Sequence, residues 1–268
     1  MLAPVSYNNY NLNFGVNLNS PKLQYSQKDF FIRIRGYGKN KAWADEMKKV
    51  ADSAVYLLRK KSDPEAVLKQ IVLGVSFANR IPLDLAKRLK TGILRAPRND
   101  WESTEEYRDL KTSYIAPRYK SYATRLDKVV KEPLVKPYNN IAMSIPGFAQ
   151  DIYHSNAECV NDSLNYVFEL TKKIFPKYIC KDVKPKNMDE VNNIIAEIRW
   201  ILAHATPWLR GSDAISNVFM RAIYKAIGIK AYPPAKGVSF DLEAYCRNLD
   251  DYKASFVSFF EKPPKIID

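Results

Sequence analysis

The chain has little of the residues that hold metals or form disulfides. It contains three cysteines and two histidines among 268 residues. The cysteines, Cys159, Cys180 and Cys246, are odd in number and have neither disulfide-framework nor metal-ligand spacing, which is typical of a reducing compartment. With so few nitrogen and sulfur ligands, we expect no metal site.

Long apolar runs are also missing. No stretch of about 18 apolar residues occurs, which argues against a membrane-spanning helix. The first five residues, Met-Leu-Ala-Pro-Val, lack the charged start and apolar core of a signal peptide. We therefore expect a soluble protein, either cytosolic or delivered into a host cell without a Sec signal.

Acidic residues are scarce relative to basic ones. Lysine and arginine number 42 against 29 for aspartate and glutamate, so the formal net charge is +13. Many of these cations lie between Lys87 and Lys136, interleaved with Tyr114, Tyr119 and Tyr122. Such a stretch is either an ordinary solvated basic surface or a surface for an acidic protein or an anionic membrane. No helix-turn-helix, zinc-finger or RNA-binding signature accompanies it, so nucleic acid is not a favoured partner.

Hydrophobic periodicity predicts a mainly α fold, a helical bundle-like domain. Residues 1–27 are rich in Asn, Ser and Tyr, and we expect a disordered leader there. A helical N-terminal region over 28–140 and a helical C-terminal region over 141–268 follow, and the two regions are either separate or one continuous domain. The predicted helices cover residues 43–58, 64–75, 82–94, 151–175, 189–206 and 213–227.

The C-terminal sequence carries a further apolar stripe at spacings of three and four, which predicts a helix packed against the core. Its members are Leu242, Tyr245, Leu249, Tyr252, Phe256 and Phe259. The acidic residues Asp241 and Glu243 are interpreted as part of the solvated face of this helix.

The loop between the helices predicted over 189–206 and 213–227 is the most informative stretch. Pro207 ends the first helix, and Gly211 allows the backbone to approach a ligand closely. The free N–H groups at the start of the next helix favour an anion, Ser212 offers a hydroxyl, and Arg210 offers a planar guanidinium. Residues Arg210 to Asp213 therefore form a candidate phosphate site. The alternative is an ordinary interhelical turn in which Ser212 or Asp213 caps the helix.

The sequence Thr-Pro-Trp-Leu-Arg-Gly-Ser-Asp-Ala, residues 206–214, resembles the signature of the Fic (Fido-fold) family. The proline, the aromatic residue and the first glycine coincide with that signature. The resemblance implies a Fido-like C-terminal half that moves a nucleotide phosphate group onto a protein hydroxyl. Thr206 stands where the family has its catalytic histidine, and Arg210 stands at its metal-binding acid. The standard mechanism is thus not implied, and His204 is the remaining candidate for acid–base work.

These observations lead to one main hypothesis and two alternatives. The main one is a bacterial effector- or toxin-like transferase that moves a phosphate-containing or sugar group from a nucleotide or nucleotide-sugar donor onto a target protein, such as a host protein. His204 and Thr206 are its catalytic candidates, and Arg210, Gly211, Ser212 and Asp213 are its phosphate-binding candidates. The first alternative is a phosphate- or partner-binding module without catalysis. The second is a cysteine hydrolase in which Cys159 near a helix start acts with His204 and Asp213.

Overall fold

The computed structural model describes residues 18–30, 41–78, 91–95, 143–145, 148–153, 160–179, 181 and 184–267. Over these residues the protein is mainly α, as the hydrophobic periodicity predicts. The helices are α1 (Lys41–Arg59), α2 (Pro64–Ala78), α3 (Val160–Ile174), α4 (Met188–Ala205), α5 (Ser212–Ala226), α6 (Phe240–Tyr245) and α7 (Leu249–Ser255).

Short elements complete the described fold. One antiparallel pair joins β1 (Met143–Ile145) to β2 (Phe148–Tyr153), and a second joins β3 (Ile229–Lys230) to β4 (Lys265–Ile266). Residues 27–30 and 256–259 form 3-10 turns, and a π-helical turn over residues 175–179 follows α3.

Helix α4 lies at the centre of the bundle. It contacts α3, α5, α6 and α7, while α1 packs against α2 and α5. One hydrophobic core runs through all of them, with Trp200 of α4 and Phe219 and Tyr224 of α5 fully buried. This core includes described residues from both regions distinguished in the sequence, and the division of the chain near residue 140 stays a prediction.

The helices that flank the candidate loop begin and end close to the predicted residues. The side chain of Asn187 accepts a hydrogen bond from the Asp189 N–H at 2.8 Å and so caps α4. At the end of α5, Gly228 adopts a φ of 78°, a conformation that favours glycine after a helix. Local capping signals therefore fix these bounds.

Two predicted helices are wrong in part. Residues 151–153 belong to strand β2 and pair with β1, so that helix begins later, at Val160. Residues 91–94 are not helical, because their backbone pairs with the 207–210 loop, a long-range contact that periodicity does not report. The part of that prediction over residues 82–90 lies outside the described residues.

The predicted disordered leader does not extend to residue 27. Leu23 and Tyr25 are buried, and the Tyr25 hydroxyl donates a hydrogen bond to the Arg221 carbonyl at 2.8 Å. The Lys230 Nζ atom lies 4.4 Å from the centre of the Tyr25 ring, a cation–π contact. Residues 18–27 are therefore held against α5 and β3, and residues 1–17 lie outside the described residues.

The C-terminal apolar stripe packs into the core as predicted, but it is divided among α6, α7 and the 3-10 turn. The division occurs at Asn248, whose side chain accepts a hydrogen bond from the Asp251 N–H and begins α7. In the part of the chain that the structure describes, none of the helices is both long and apolar enough to cross a membrane.

Candidate functional site

The loop between α4 and α5 has a tightly fixed backbone. Thr206 ends α4 in the left-handed region, with φ 36° and ψ 63°, and its N–H donates to the Leu202 carbonyl at 3.1 Å. Gly211, with φ 87°, turns the chain into α5, and its carbonyl accepts the Ile215 N–H at 2.9 Å. A glycine adopts this φ without steric cost, which explains its place before the helix.

A short non-helical segment, Thr91–Arg95, pairs with this loop. The Gly92 N–H donates to the Arg210 carbonyl at 3.1 Å, and the Arg95 N–H donates to the Pro207 carbonyl at 2.8 Å. In return the Leu209 N–H donates to the Ile93 carbonyl at 2.9 Å. The loop is thus held from both sides, by its own helices and by this segment.

The Ser212 hydroxyl serves the loop itself. It donates to the Trp208 carbonyl at 3.0 Å and accepts the Trp208 N–H at 3.2 Å. Because a hydroxyl has one proton to donate, this side chain is already committed as a donor. Any ligand contact from Ser212 therefore comes from its backbone N–H and not from the predicted hydroxyl.

The first turn of α5 starts without a side-chain cap, because Gly211 at the cap position has none to offer. Backbone N–H groups at such a start point along the helix axis and carry partial positive charge. Arg210, partly exposed, immediately precedes this turn. The phosphate site at Arg210–Asp213 stays a prediction, and these features describe its geometry.

Asp213 in the first turn of α5 is tied to α4 by a buried arginine. The Arg199 Nη2 atom lies 2.7 Å from the Asp213 Oδ1 atom; the Arg199 side chain is 1% exposed and that of Asp213 is 43% exposed. The Arg199 guanidinium also lies 5.4 Å from the centre of the Phe240 ring. The predicted ligand residue Asp213 therefore has a second task, which is to balance a buried positive charge.

Asp241, on α6, lies near enough to Asp213 and Arg199 for their charges to act on it. The sequence pattern does not indicate this proximity. The Asp241 Oδ1 atom accepts a hydrogen bond from the Ser239 hydroxyl and another from the Leu242 N–H, the latter at 2.9 Å. Burial and the nearby charge of Asp213 raise the pKa of Asp241 to about 6, against the opposing effects of the Ser239 hydrogen bond and the Arg199 charge. The prediction that Asp241 and Glu243 are solvated is wrong for Glu243, which is buried. Asp241 is partly exposed, and the charges of Asp213 and Arg199 act on its pKa.

The Tyr245 phenol is affected by the same charged side chains. Its hydroxyl donates to the Ala203 carbonyl at 3.1 Å, and burial raises its pKa well above the ordinary value. The charges of Asp241 and Asp213 raise this pKa further, whereas the charges of Arg199 and Arg95 lower it. The charges of two carboxylates and two guanidinium groups thus act on the pKa of one phenol. The sequence does carry one signal for Asp241: it lies two residues after Ser239 at a helix start, where such side chains form local hydrogen bonds.

His204, the predicted acid–base residue, lies in the core. It is 3% exposed; its Nδ1 atom lies 2.8 Å from the Trp200 carbonyl, and its ring centre lies 4.0 Å from that of Trp200. The Tyr245 ring covers it edge-on at 5.6 Å. Burial lowers the pKa of His204 to about 4, so the imidazole is neutral near pH 7. These contacts give His204 a packing role, and no hydroxyl of a target protein reaches a ring so enclosed.

The structure gives little support for a chemical role of the other predicted site residues. The Thr206 Oγ1 atom is buried and has no hydrogen-bond partner among the described residues, and a hydroxyl of this kind is not a base near neutral pH. Cys159 lies outside the described residues, and its proposed partner His204 is enclosed. The basic stretch from Lys87 to Lys136 is also outside them except for residues 91–95. No group of three His, Cys, Asp or Glu side chains suited to a metal occurs in the described ranges.

The fold and the loop describe a helical protein with a charged site at a helix start, and comparison with protein families completes the identification. A family model described as avirulence protein (AvrB/AvrC) matches residues 112–263, more than half of the chain. The chain belongs to this family of bacterial avirulence effectors. The effector and virulence part of the prediction is thereby confirmed, and a host protein is the class of target that this family implies. No match to a curated protein was found.

The resemblance to the Fic family is wrong as a family assignment, since residues 112–263 match the avirulence proteins instead. The description of the C-terminal half as Fido-like falls with it. The coinciding residues have local explanations: Pro207 cannot continue a helix, Trp208 is buried in the core, and Gly211 supplies the left-handed turn. The correspondence that gave Thr206 a catalytic position therefore has no remaining basis.

Proposed function

We propose that this effector modifies a host protein by transferring a group from a nucleotide-type donor, whose phosphate binds at the start of α5. The observation that carries the proposal is the uncapped first turn of α5, which directly follows Arg210 and is reached by a loop fixed through backbone pairing with Thr91–Arg95. A phosphate there accepts hydrogen bonds from backbone N–H groups and pairs with a guanidinium.

The arginines around the loop favour the binding of an anion. They also favour a reaction of that anion in which further negative charge develops. Arg95, Arg199 and Arg210 are near the start of α5, opposed by Asp213 and Asp241. Arg199 is buried and pairs with Asp213. Arg210 is partly exposed and belongs to the loop itself, so we assign Arg210 as the cation that binds the phosphate. We assign no proton transfer to His204 or Thr206, because both are enclosed by protein atoms.

The test is the mass of host proteins in eukaryotic cells that express the chain. We expect wild type to add a group to one or more cellular proteins, detected by mass spectrometry as a modification absent from cells without the chain. Arg210→Ala removes the phosphate-binding cation and is expected to reduce this modification at least tenfold. Lys173→Ala, which removes an exposed cation from α3, is the matched control and is expected to behave like wild type.

The same experiment separates a transferase from the alternative, a phosphate-binding module without catalysis. A binding module interacts with a nucleotide through Arg210 but adds no mass to any protein. Absence of any modification by wild type, together with Arg210-dependent nucleotide binding, would therefore replace the transferase proposal with the binding module.

A further inference from the structure

The N-terminal segment, residues 18–30, makes backbone hydrogen bonds within itself. The Leu23 N–H donates to the Ser20 carbonyl at 2.9 Å, and the Asp29 N–H donates to the Ser26 carbonyl at 3.0 Å. The Ser26 hydroxyl also donates to the Asp29 carboxylate at 3.0 Å. These bonds are kept when the segment separates from the rest of the protein, which is the property of a unit that can open by itself.

Side chains attach this segment to a surface formed by α1, α5 and β3, which we call the docking surface. The 3-10 turn of the segment packs on α1. Tyr25 is 2% exposed, and its hydroxyl donates to the Arg221 carbonyl at 2.8 Å. The Arg221 guanidinium lies 5.4 Å from the ring centres of both Tyr25 and Phe30. The Lys230 Nζ atom lies 3.4 Å from the Asp29 Oδ2 atom. The docking surface therefore contacts a tyrosine, a carboxylate four residues later and a second aromatic ring.

The buried cations of the docking surface keep partners when the segment is removed. On α5, Lys225 pairs with Asp52 of α1 at 2.7 Å. The Arg221 guanidinium donates to two backbone carbonyls directly after β3, at 3.0 and 3.1 Å. Lys230 loses the Asp29 carboxylate but gains solvent on the side that the segment covers. Removal of the segment thus leaves Lys225 and Arg221 paired, and an unpaired buried charge is what makes such a loss costly.

The contacts of the segment are with residues far away in the chain. Tyr25 and Arg221 are 196 positions apart. Leu23 packs on Ile267, whose N–H donates to the Gly228 carbonyl at 2.9 Å beside the pair of β3 and β4. The docking surface therefore exists only after the C-terminal strand has paired. The segment binds to a surface that is already folded, so the same contacts are available to a segment from another chain.

We propose that the docking surface is a peptide-binding site, which residues 18–30 occupy as a detachable latch and which accepts the same segment from a second copy of the chain. Within one chain the covalent link gives the latch a high effective concentration, so it excludes a segment from outside. Exchange between copies follows where the latch of the receiving chain is weakened, as in domain swapping. This inference is independent of the proposed function, and its test needs neither a nucleotide nor a target protein.

The first experiment titrates a fluorescent peptide of residues 18–30 onto full-length Tyr25→Ala, whose own latch lacks its buried ring. The peptide is expected to bind this variant about tenfold or more tightly than it binds wild type, whose latch covers the docking surface. A peptide with Tyr25→Ala is expected not to bind. A peptide with Lys28→Ala, an exposed position, is the matched control and is expected to bind like the unaltered peptide.

Circular dichroism and urea denaturation of full-length Tyr25→Ala are part of the same experiment. The variant is expected to keep the helical content and a cooperative unfolding transition, because the rest of the fold does not depend on the latch. An unfolded variant would show that residues 18–30 are not detachable and would overturn the proposal. A folded variant that does not bind the peptide would overturn it equally.

The second experiment mixes Tyr25→Ala, which has a free docking surface, with Lys230→Ala, which has an intact segment but lacks the cation that contacts Tyr25 and Asp29. Sedimentation velocity is expected to show a complex of two chains in the mixture that neither variant forms alone. Wild type mixed with Lys230→Ala is the control and is expected to form no such complex, because its own latch covers the surface. A mixture that sediments like the two separate variants would overturn the exchange between copies.

Discussion

The Arg199 guanidinium on α4 and the Asp213 carboxylate on α5 meet at 2.7 Å and fix the start of α5 relative to the core. Removing Asp213 leaves a buried positive charge without its partner. We expect Asp213→Ala to lower the free energy of unfolding by about 1–3 kcal/mol, less than for a fully buried pair because Asp213 is partly exposed. Urea denaturation measures this, with Asp250→Ala as the control. A loss equal to that of the control would show that the pair does not stabilise the fold.

The buried His204 makes stability depend on pH. Burial lowers its pKa in the folded protein to about 4, below the ordinary value of about 6.5 in the unfolded chain. Between these values the unfolded chain binds more protons, so stability is present above pH 6.5 and is lost as pH falls toward 4. The full contribution is about 3 kcal/mol.

The measurement is urea denaturation of wild type and His204→Gln at pH 7 and at pH 4.5. The loss of stability on acidification is expected to be smaller in His204→Gln, because that side chain does not titrate. An equal loss in the two proteins would show that other groups cause the acid sensitivity.

Thr206 adopts a left-handed conformation that a β-branched residue rarely occupies. Its hydroxyl gains no hydrogen bond in the described structure to offset the strain. We expect Thr206→Gly to raise the free energy of unfolding by about 1 kcal/mol. Host-protein modification is expected to persist in this variant, because the proposal gives Thr206 no chemical task. A variant that is more stable but inactive would show that the Thr206 side chain contributes to the activity.

Gly92 holds the Thr91–Arg95 segment close to α2. A Cβ atom at this position would meet the Ser76 hydroxyl and approach the Val72 Cγ1 atom to 2.8 Å, and the φ of 77° is itself strained for other residues. Gly92→Ala is therefore expected to displace the segment from the loop. It is expected to weaken severalfold the binding of whichever of ADP, GDP, CDP and UDP wild type binds, as calorimetry would measure. Gly237 has a similar φ of 83°, but a Cβ atom there would meet no other atom within 4 Å, so Gly237→Ala is the control. Equal binding by the two variants would show that the segment does not support the site.

Sequence patterns predicted the local features well and the long-range ones poorly. Pro207 and Gly228 mark helix ends because chain termination depends on neighbouring residues. The pairing of residues 91–95 with the loop depends on groups more than a hundred residues apart, and periodicity favoured a helix there. The same limit applies to the predicted disordered leader, because Tyr25 is held by long-range contacts with α5 and β3.

The site shows a similar division. The candidate phosphate site can be recognised in the sequence because Arg210, Gly211 and the helix start are adjacent in the chain. The sequence does not reveal the surroundings of Asp241, because the packing of α6 against α4, which brings Asp241 within reach of the Arg199 charge, is a tertiary contact. His204 is the histidine nearest the loop in the sequence, but its position on α4 places its ring between those of Trp200 and Tyr245.

Calorimetric titration with ADP, GDP, CDP and UDP tests the central claim, that the start of α5 binds the phosphate of a nucleotide-type donor. Wild type and Lys173→Ala are predicted to bind at least one of these nucleotides with equal affinity, and Arg210→Ala is predicted to bind it at least tenfold more weakly. Inorganic phosphate at high concentration is predicted to compete with the nucleotide in wild type. Equal affinity in wild type and Arg210→Ala, or no binding of any nucleotide by wild type, would contradict the account.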